Sequence, residues 1–101
     1  MFLPAVVRFN ASAESIRKER RLQRMAQAMG LVSCDAAGSE IAEEVLAMNA
    51  RLGLPGGLAA MGVSADLHER IIDGAMADHC HKTNPRIATR EDYRRMLAES
   101  A

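Results

Sequence analysis

The sequence predicts an all-α fold, a small bundle of four to five main helices in a single domain covering residues 1–101. Apolar residues recur at helical spacing: Ile41, Val45, Met48 and Leu52 are separated by 4, 3 and 4 positions and share one helix face. No segment shows the sustained apolar–polar alternation that is typical of a half-buried strand. The composition also favours closely packed helices, because 18 Ala, 9 Leu and 7 Met accompany only 2 Phe, 1 Tyr and no Trp.

The first third of the chain is predicted to contain two helical segments. Residues 2–9 are largely apolar and are expected to be the end of a helix, with Phe2, Leu3, Val6 and Val7 left largely unpaired at a free N-terminus. A single helix is predicted from Ala13 to Met29, followed by Gly30 as a left-handed cap. Its apolar stripe consists of Ile16, Leu22, Met25, Ala26 and Met29.

The middle of the chain is predicted to form one long helix and a break. This helix runs from Ser39, a suitable N-cap residue, to Leu52, and Gly53 ends it. The run of residues 54–57, LPGG, is a helix breaker. A short helical turn is expected at residues 58–61, before Gly62.

The last third is predicted to contain two more helices. Ser64 is expected to cap a helix that continues to about His79, with Leu67, Ile71 and Ala75 as its core stripe. Asn84-Pro85 indicates a loop, because the residue before proline avoids the α region. Thr89 and Asp92 have the spacing of a capping box, and three residues of the helix that follows are expected to face inward: Tyr93, Met96 and Leu97.

Charge and composition argue against nucleic-acid and membrane partners. The 13 basic and 13 acidic side chains balance, and aromatic residues for base stacking are scarce. The basic segment 16–24 is therefore interpreted as a solvated helix face rather than a phosphate-binding helix. No apolar run approaches the ~20 residues of a membrane span, and no secretory signal pattern is present. A cytoplasmic protein with two reduced thiols, Cys34 and Cys80, is expected.

The segment His79-Cys80-His81 is the only group of side chains that suggests a metal or a nucleophile. Structural zinc ligands are usually two or more residues apart, and His68 on the same predicted helix would lie about 16 Å from His79. Adjacent side chains are expected to point in different directions, and no oxyanion donor can be identified for a Cys–His pair. We therefore predict no metal ligand and no catalytic residue, with the histidines favoured by the helix C-terminal dipole.

Several short motifs together resemble the C-terminal part of iron-containing alcohol dehydrogenases. These are LPAVVRFN at residues 3–10, AMG at 28–30, GLP at 53–55, LAAMGV at 58–63, DHCHKTNPR at 78–86 and TRED at 89–92. Each motif is weak alone, but all six occur in the family's order and at its distances, and they cover residues 2–98. The resemblance implies an all-helical C-terminal domain that faces a nucleotide-binding α/β domain across the active-site cleft.

The resemblance also implies which functions this chain carries and which it lacks. The family moves a hydride between NAD(P) and an alcohol or aldehyde, with Fe²⁺ held by one Asp and three His and the cofactor phosphates held by a Gly-Gly-Gly-Ser loop. All of these groups precede the matched region, so no cofactor is expected to bind this chain, which is expected to be inactive alone. Cys80 matches a cysteine that borders the family's substrate pocket, with His81 and Asn84 nearby. For each of the three, packing or capping of the loop is an equally good interpretation.

Two further expectations concern the extent of the chain and its partners. The start at Met1 falls within a helix of the family, so the resemblance implies a truncated gene or a fragment. The alternative function is a stand-alone small helical module that self-associates or binds another protein. Its basis is the apolar N-terminal segment together with the thin, Ala-rich core, which a partner could complete.

Overall fold

A computed structural model describes residues 1–101 and confirms the all-α prediction. It contains no strand and six α-helices: α1 (Leu3–Asn10), α2 (Glu14–Lys18), α3 (Arg21–Ala28), α4 (Ser39–Arg51), α5 (His68–Ala77) and α6 (Arg90–Glu99). Three short 3₁₀ segments occur at Ala59–Met61, Ala65–Leu67 and His79–Thr83. None of the helices is both long and apolar enough to cross a membrane.

Helix α1 is central, because it packs against both α4 and α6. Pro4 lies in its first turn, where a missing N–H costs no hydrogen bond. The expectation for its apolar residues was only partly right. Val7 is buried in contact with the helices that follow, whereas Phe2 and Leu3 remain 40% and 52% exposed.

The prediction of a single helix from Ala13 to Met29 is wrong. The chain instead forms two helices, α2 and α3, with a break at Arg20. Arg20 adopts a left-handed conformation with φ 50°. In one continuous helix, Ile16 and Leu22 would lie about 120° apart around the axis, because they are six residues apart. The break turns both side chains toward the same apolar cluster, in which Leu22 is buried and Ile16 is partly buried.

The start of α4 also differs from the prediction. Ser39 is not the cap; its backbone N–H donates to the Asp35 carboxylate at 2.8 Å. Gly38 precedes it with φ 70°, and a Cβ at this position would lie 3.0 Å from a methyl group of Val7 and 3.3 Å from Leu22. Glycine is thus needed both for the backbone conformation and for the close approach of α1.

The last two helices follow the predicted boundaries approximately. A 3₁₀ turn precedes α5, which ends at Ala77 rather than His79 because Asp78 is extended and starts the next 3₁₀ segment. Ile72 is the fully buried residue of α5, whereas the predicted stripe of Leu67, Ile71 and Ala75 is only partly buried. The capping box of Thr89 and Asp92 at α6 is confirmed.

The buried apolar side chains form two separate clusters. The first, here called the α1–α4 core, contains Val7, Ala11, Leu22, Ala26 and Ile41. The second, the α5–α6 core, contains Leu58, Ile72 and Leu97. The molecule is flat, with extents of 39 × 32 × 18 Å along its principal axes. This thinness explains why Ile41 and Ile72 are the only large side chains with almost no exposed surface.

Candidate functional site

A cleft of about 560 Å³ lies between α1, α5, α6 and the segment that joins α5 to α6. Most of its lining is apolar, with side chains from all three helices. Its lining residues are Phe2, Val6, Phe9, Ile71, Gly74, Ala75, Asp78, Cys80, His81, Asn84, Ala88, Tyr93, Met96 and Leu97. A concave apolar surface with a few polar groups is the usual form of a small-molecule site.

Two segments that are distant in sequence meet at this cleft through a pair of amide side chains. Asn10 Nδ2 donates to Asn84 Oδ1 at 3.1 Å, and Asn84 Nδ2 donates to Asn10 Oδ1 at 2.7 Å. Asn84 Nδ2 also donates to the Arg86 carbonyl oxygen at 2.6 Å. The end of α1 is therefore tied to the loop after residue 83, so the side chains of both segments have fixed positions in the cleft wall.

Arg86 strengthens the same junction. Its guanidinium lies 4.2 Å from the centre of the Phe9 ring, within the range of a cation–π interaction. It donates to the Phe9 carbonyl oxygen at 3.3 Å and to Ser12 Oγ at 3.2 Å. It also lies 3.5 Å from the buried Asp92 carboxylate at the start of α6. Arg86 therefore links α1, the loop and α6 in one polar network.

Cys80 lies at the exposed rim of the cleft, on the 3₁₀ turn that follows Asp78. The Asp78 carboxylate accepts a hydrogen bond from the Cys80 backbone N–H at 2.7 Å, which caps this turn. A hydrogen bond between the Cys80 side chain and the Asp78 carboxylate, together with the negative charge of that carboxylate, raises the pKa of the Cys80 thiol. The thiol is therefore protonated near neutral pH.

His81 and Tyr93 form a polar pair in the cleft wall. His81 Nδ1 and Tyr93 Oη lie 3.1 Å apart, and the two rings are tilted by 40°. Burial and the negative charge of Asp78 raise the pKa of Tyr93, so its hydroxyl stays protonated. From the sequence, Tyr93 was predicted only as an inward-facing core residue. Its hydroxyl was the available signal, because a buried tyrosine usually has a polar partner.

The three residues predicted to border a substrate pocket all line this one cleft. Cys80, His81 and Asn84 come from a single loop, but they differ in how freely they could contact a ligand. The Asn84 amide is engaged in hydrogen bonds, and one nitrogen of His81 contacts Tyr93. Cys80 is the most exposed of the three, so its side chain is the freest to contact a ligand.

One group of side chains could hold a metal ion. This group does not match the iron ligands of the iron-containing alcohol dehydrogenases that the sequence resembles. Ligand atoms of Asp78, His79 and Cys80 lie within 4.8 Å of one another. Adjacent side chains therefore converge at this turn, whereas they were predicted to point in different directions. The group contains one histidine and a thiol, whereas the family uses one aspartate and three histidines, so these residues do not fit the iron site.

The only adjacent glycines do not form a phosphate-binding loop. A Cβ at Gly57 would overlap the backbone carbonyl of Ala101 and would lie 2.9 Å from the Ser100 carbonyl oxygen. The end of the chain thus fills the space beside this turn, and Leu58 N–H donates to the Ser100 carbonyl oxygen at 2.8 Å. Carbonyl oxygens here would repel a cofactor phosphate, so this turn does not fit a nicotinamide cofactor.

Comparison with known proteins identifies the family. The model of the Fe-containing alcohol dehydrogenase family, C-terminal part, matches residues 1–101. A 4-hydroxybutyrate dehydrogenase of Cupriavidus necator is 49% identical over 98 residues, which is 97% of this chain and 25% of that protein. An NAD-dependent methanol dehydrogenase of Bacillus methanolicus is 28% identical over 95 residues, which is 94% of this chain and 25% of that protein.

These matches define the family and the part of it that is present. The chain spans about a quarter of the length of the two relatives. No solved structure matches it at a significant level. The motifs that meet at the cleft, LPAVVRFN and DHCHKTNPR, lie within the matched region. The chain therefore belongs to the Fe-containing alcohol dehydrogenase family and corresponds to its C-terminal, all-helical part.

Proposed function

We propose that these 101 residues form the helical wall of the substrate pocket in an NAD(P)-dependent, iron-containing alcohol dehydrogenase. The complete enzyme would interconvert an alcohol and an aldehyde by hydride transfer, with Fe²⁺ polarising the substrate oxygen. Residues outside this chain would supply the iron ligands and the phosphate-binding loop. The chain by itself would be inactive. We further propose a cytoplasmic location, which is consistent with the free thiols of Cys34 and Cys80.

The observation that carries this proposal is the cleft between α1, α5 and α6. Its apolar side chains, such as Val6, Ile71 and Met96, are suited to bind the carbon chain of an alcohol and to keep water away. The polar groups lie on one side, at Asp78 and the His81–Tyr93 pair. The hydrogen bonds of Asn84 hold the loop in place, so Cys80 can form a wall of fixed shape.

The names of the two relatives suggest that substrate size varies within the family. One is named for 4-hydroxybutyrate, a four-carbon hydroxy acid, and the other for methanol. A wall residue acts on such substrates through its volume, because the pocket must match the length of the carbon chain. We propose that Cys80 limits the size of the substrate in this way, with His81 and Asn84 beside it.

A hybrid dehydrogenase tests the proposal. Residues 2–101 would replace the corresponding C-terminal part of the Cupriavidus necator enzyme, and activity with 4-hydroxybutyrate would be measured. Cys80→Phe should lower kcat/KM roughly ten-fold to a hundred-fold, because a volume clash in a packed site costs about 1–3 kcal/mol. Iron content should stay the same, because no ligand is lost.

The matched control is Ala77→Phe, which adds the same ring to an exposed position of α5 that does not line the cleft. This variant should leave kcat/KM unchanged. If Cys80→Phe has no effect, Cys80 is only a packing residue and the pocket assignment fails. Loss of iron in Cys80→Phe would place the residue closer to the metal than we propose.

The second candidate function is self-association through the N-terminal segment. Phe2 and Leu3 remain 40% and 52% exposed on α1, although both are apolar. We propose that a second copy of the chain covers them. Sedimentation should show dimers at high micromolar concentration, and Leu3→Glu should abolish them. Val32→Glu is the control, because Val32 is equally apolar and lies fully exposed on the loop before α4. A monomeric wild-type chain would contradict this proposal.

A further inference from the structure

The turn after α5 brings together three side chains of the kinds that bind transition metals. Asp78, His79 and Cys80 offer a carboxylate, an imidazole and a thiol, and their ligand atoms lie within 4.8 Å of one another. All three residues are exposed, and the side chain of His79 is 91% accessible. An ion could therefore reach them directly from solvent.

One distance within this group, that between the thiol sulfur and an imidazole nitrogen, is close to the distance in a zinc site. Zinc lies about 2.0–2.3 Å from its ligands, so ligand atoms at the corners of a tetrahedron are about 3.3–3.8 Å apart. Cys80 Sγ and His79 Nε2 are 3.4 Å apart. The Asp78 carboxylate lies 3.7 Å from the other imidazole nitrogen, Nδ1, which cannot bind the same ion as Nε2, so a shared site requires a rearrangement within the 4.8 Å that separates one ligand atom of each residue. Small rotations of exposed side chains would direct all three toward one ion.

The backbone explains why adjacent residues converge here. Asp78 is extended, with φ −70° and ψ 139°, and the chain then enters the 3₁₀ turn. The hydrogen bond from the Cys80 N–H to Asp78 Oδ1 folds the carboxylate back over this turn. The other carboxylate oxygen, Asp78 Oδ2, takes no part in this backbone cap. A regular helix at these positions would direct successive side chains about 100° apart.

We propose that Asp78, His79 and Cys80 form a binding site for a borderline divalent cation, Zn²⁺, with one coordination position left open. On binding, the Cys80 thiol releases its proton to solvent and the sulfur coordinates the ion as a thiolate. A thiolate and an imidazole select Zn²⁺ over Fe²⁺, which precedes zinc in the general order of affinities.

The position of this site gives it a consequence for the cleft. Asp78 and Cys80 both line the cleft rim, so an ion bound between them would narrow its entrance. The open coordination position could be filled by water or by an oxygen atom of a small molecule in the cleft. Because no side chain buries the group, the ion should exchange with solvent and respond to chelators.

Cobalt titration of the 101-residue chain tests the proposal directly, with Co²⁺ as a spectroscopic substitute for Zn²⁺. Under reducing conditions and at mildly alkaline pH, Co²⁺ should produce a thiolate-to-cobalt charge-transfer band at one equivalent. Added Zn²⁺ should displace the cobalt and abolish the band. Cys80→Ser should lose the band, and His79→Ala should shift the titration midpoint to higher cobalt concentration.

The chain contains a matched control for each ligand. Cys34→Ser removes the other thiol, and His68→Ala removes a histidine outside the group, so both variants should keep the band. Circular dichroism would confirm that every variant remains helical, since His79 and Cys80 are exposed whereas Cys34 and His68 are half-buried. The proposal is overturned if no charge-transfer band forms, or if the band depends on Cys34 instead of Cys80.

Discussion

The two cores of the molecule differ in how they are held together. The α1–α4 core brings five buried apolar residues into contact, including small alanines that allow the helices to approach closely. The α5–α6 core has only three, and the rest of its contacts come from partly buried side chains such as Met76 and Tyr93. Polar bonds among Asn10, Asn84 and Arg86 join α1 to the second half. The second half thus has the smaller apolar core, and hydrogen bonds to the end of α1 supplement it.

This difference is informative about the site. A fully packed core leaves no space for a ligand, whereas a cleft requires apolar side chains that remain partly uncovered. The hydrogen bonds around Asn84 compensate for this incomplete apolar packing, because they fix the loop that carries Cys80 and His81. Polar bonds also have defined directions, so they set the position of the cleft wall more narrowly than apolar contacts do.

The largest predicted effect is a loss of stability when the fully buried isoleucine of either core is truncated. Ile41→Ala should lower the free energy of unfolding by roughly 4 kcal/mol and Ile72→Ala by roughly 2–3 kcal/mol, within the range for such truncations. The second loss is smaller because partly buried neighbours such as Met76 can move into the space. Urea unfolding measures both, with exposed Leu46→Ala as a nearly neutral control. An equal or larger loss for Ile72→Ala would contradict the comparison.

The next effect concerns the contact between the end of the chain and the turn before Leu58. Gly57→Ala should cost about 1–3 kcal/mol, because its Cβ would overlap the Ala101 carbonyl and displace the final residues. Gly56→Ala is the matched control, since no atom lies within 4 Å of a Cβ there. Thermal unfolding gives the melting temperature of each variant, and that of Gly57→Ala should be the lower. Equal melting temperatures would show that the final residues move aside without cost.

A smaller effect is expected at the polar junction. Asn84→Ala removes the partner of the Asn10 amide and should cost about 1–2 kcal/mol, because partly buried polar groups are left without their bonds. Asn49→Ala is the control, since the Asn49 side chain makes no hydrogen bond and alanine favours the helix. Urea unfolding gives both values. If the two variants are equally stable, apolar contacts hold the loop instead.

The smallest effect is a pH dependence from Asp92. The Thr89 backbone N–H bond, together with Arg95 and Arg86, lowers the pKa of this carboxyl in the folded state. Stability from Asp92 is therefore present above its unfolded pKa of about 3.9 and is lost as the pH falls through the lower folded value. Asp92→Asn should show a shallower loss of stability below pH ~4. Parallel acid unfolding curves for the two proteins would contradict this.

The sequence was sufficient for the features that depend on local pattern. The helical periodicity predicted the all-α class and the stretch that contains α4, and the spacing of Thr89 and Asp92 predicted the capping box. The prediction of one continuous helix was wrong at Arg20. The left-handed conformation of this residue depends on packing in the α1–α4 core, which the neighbouring residues in the sequence do not reveal. The cap of α4 by Asp35, four residues before Ser39, was missed for a similar reason.

The candidate site was predictable only through the resemblance. The motif of residues 78–86 indicated Cys80, His81 and Asn84, and all three line the cleft. The contribution of α1 through Phe9 and the pairing of His81 with Tyr93 required the tertiary structure. The convergence of Asp78, His79 and Cys80 was hidden as well, because spacing alone does not distinguish a helix from a capped 3₁₀ turn.

Substrate protection of Cys80 tests the central claim most directly. The hybrid dehydrogenase would be alkylated with iodoacetamide, and mass spectrometry would follow Cys80 and Cys34 separately, with and without 4-hydroxybutyrate and the nicotinamide cofactor. If the cleft is the substrate pocket, the bound ligands should slow alkylation of Cys80 and leave the rate at Cys34 unchanged. Equal rates at Cys80 with and without ligands, in an enzyme that is active, would contradict the assignment.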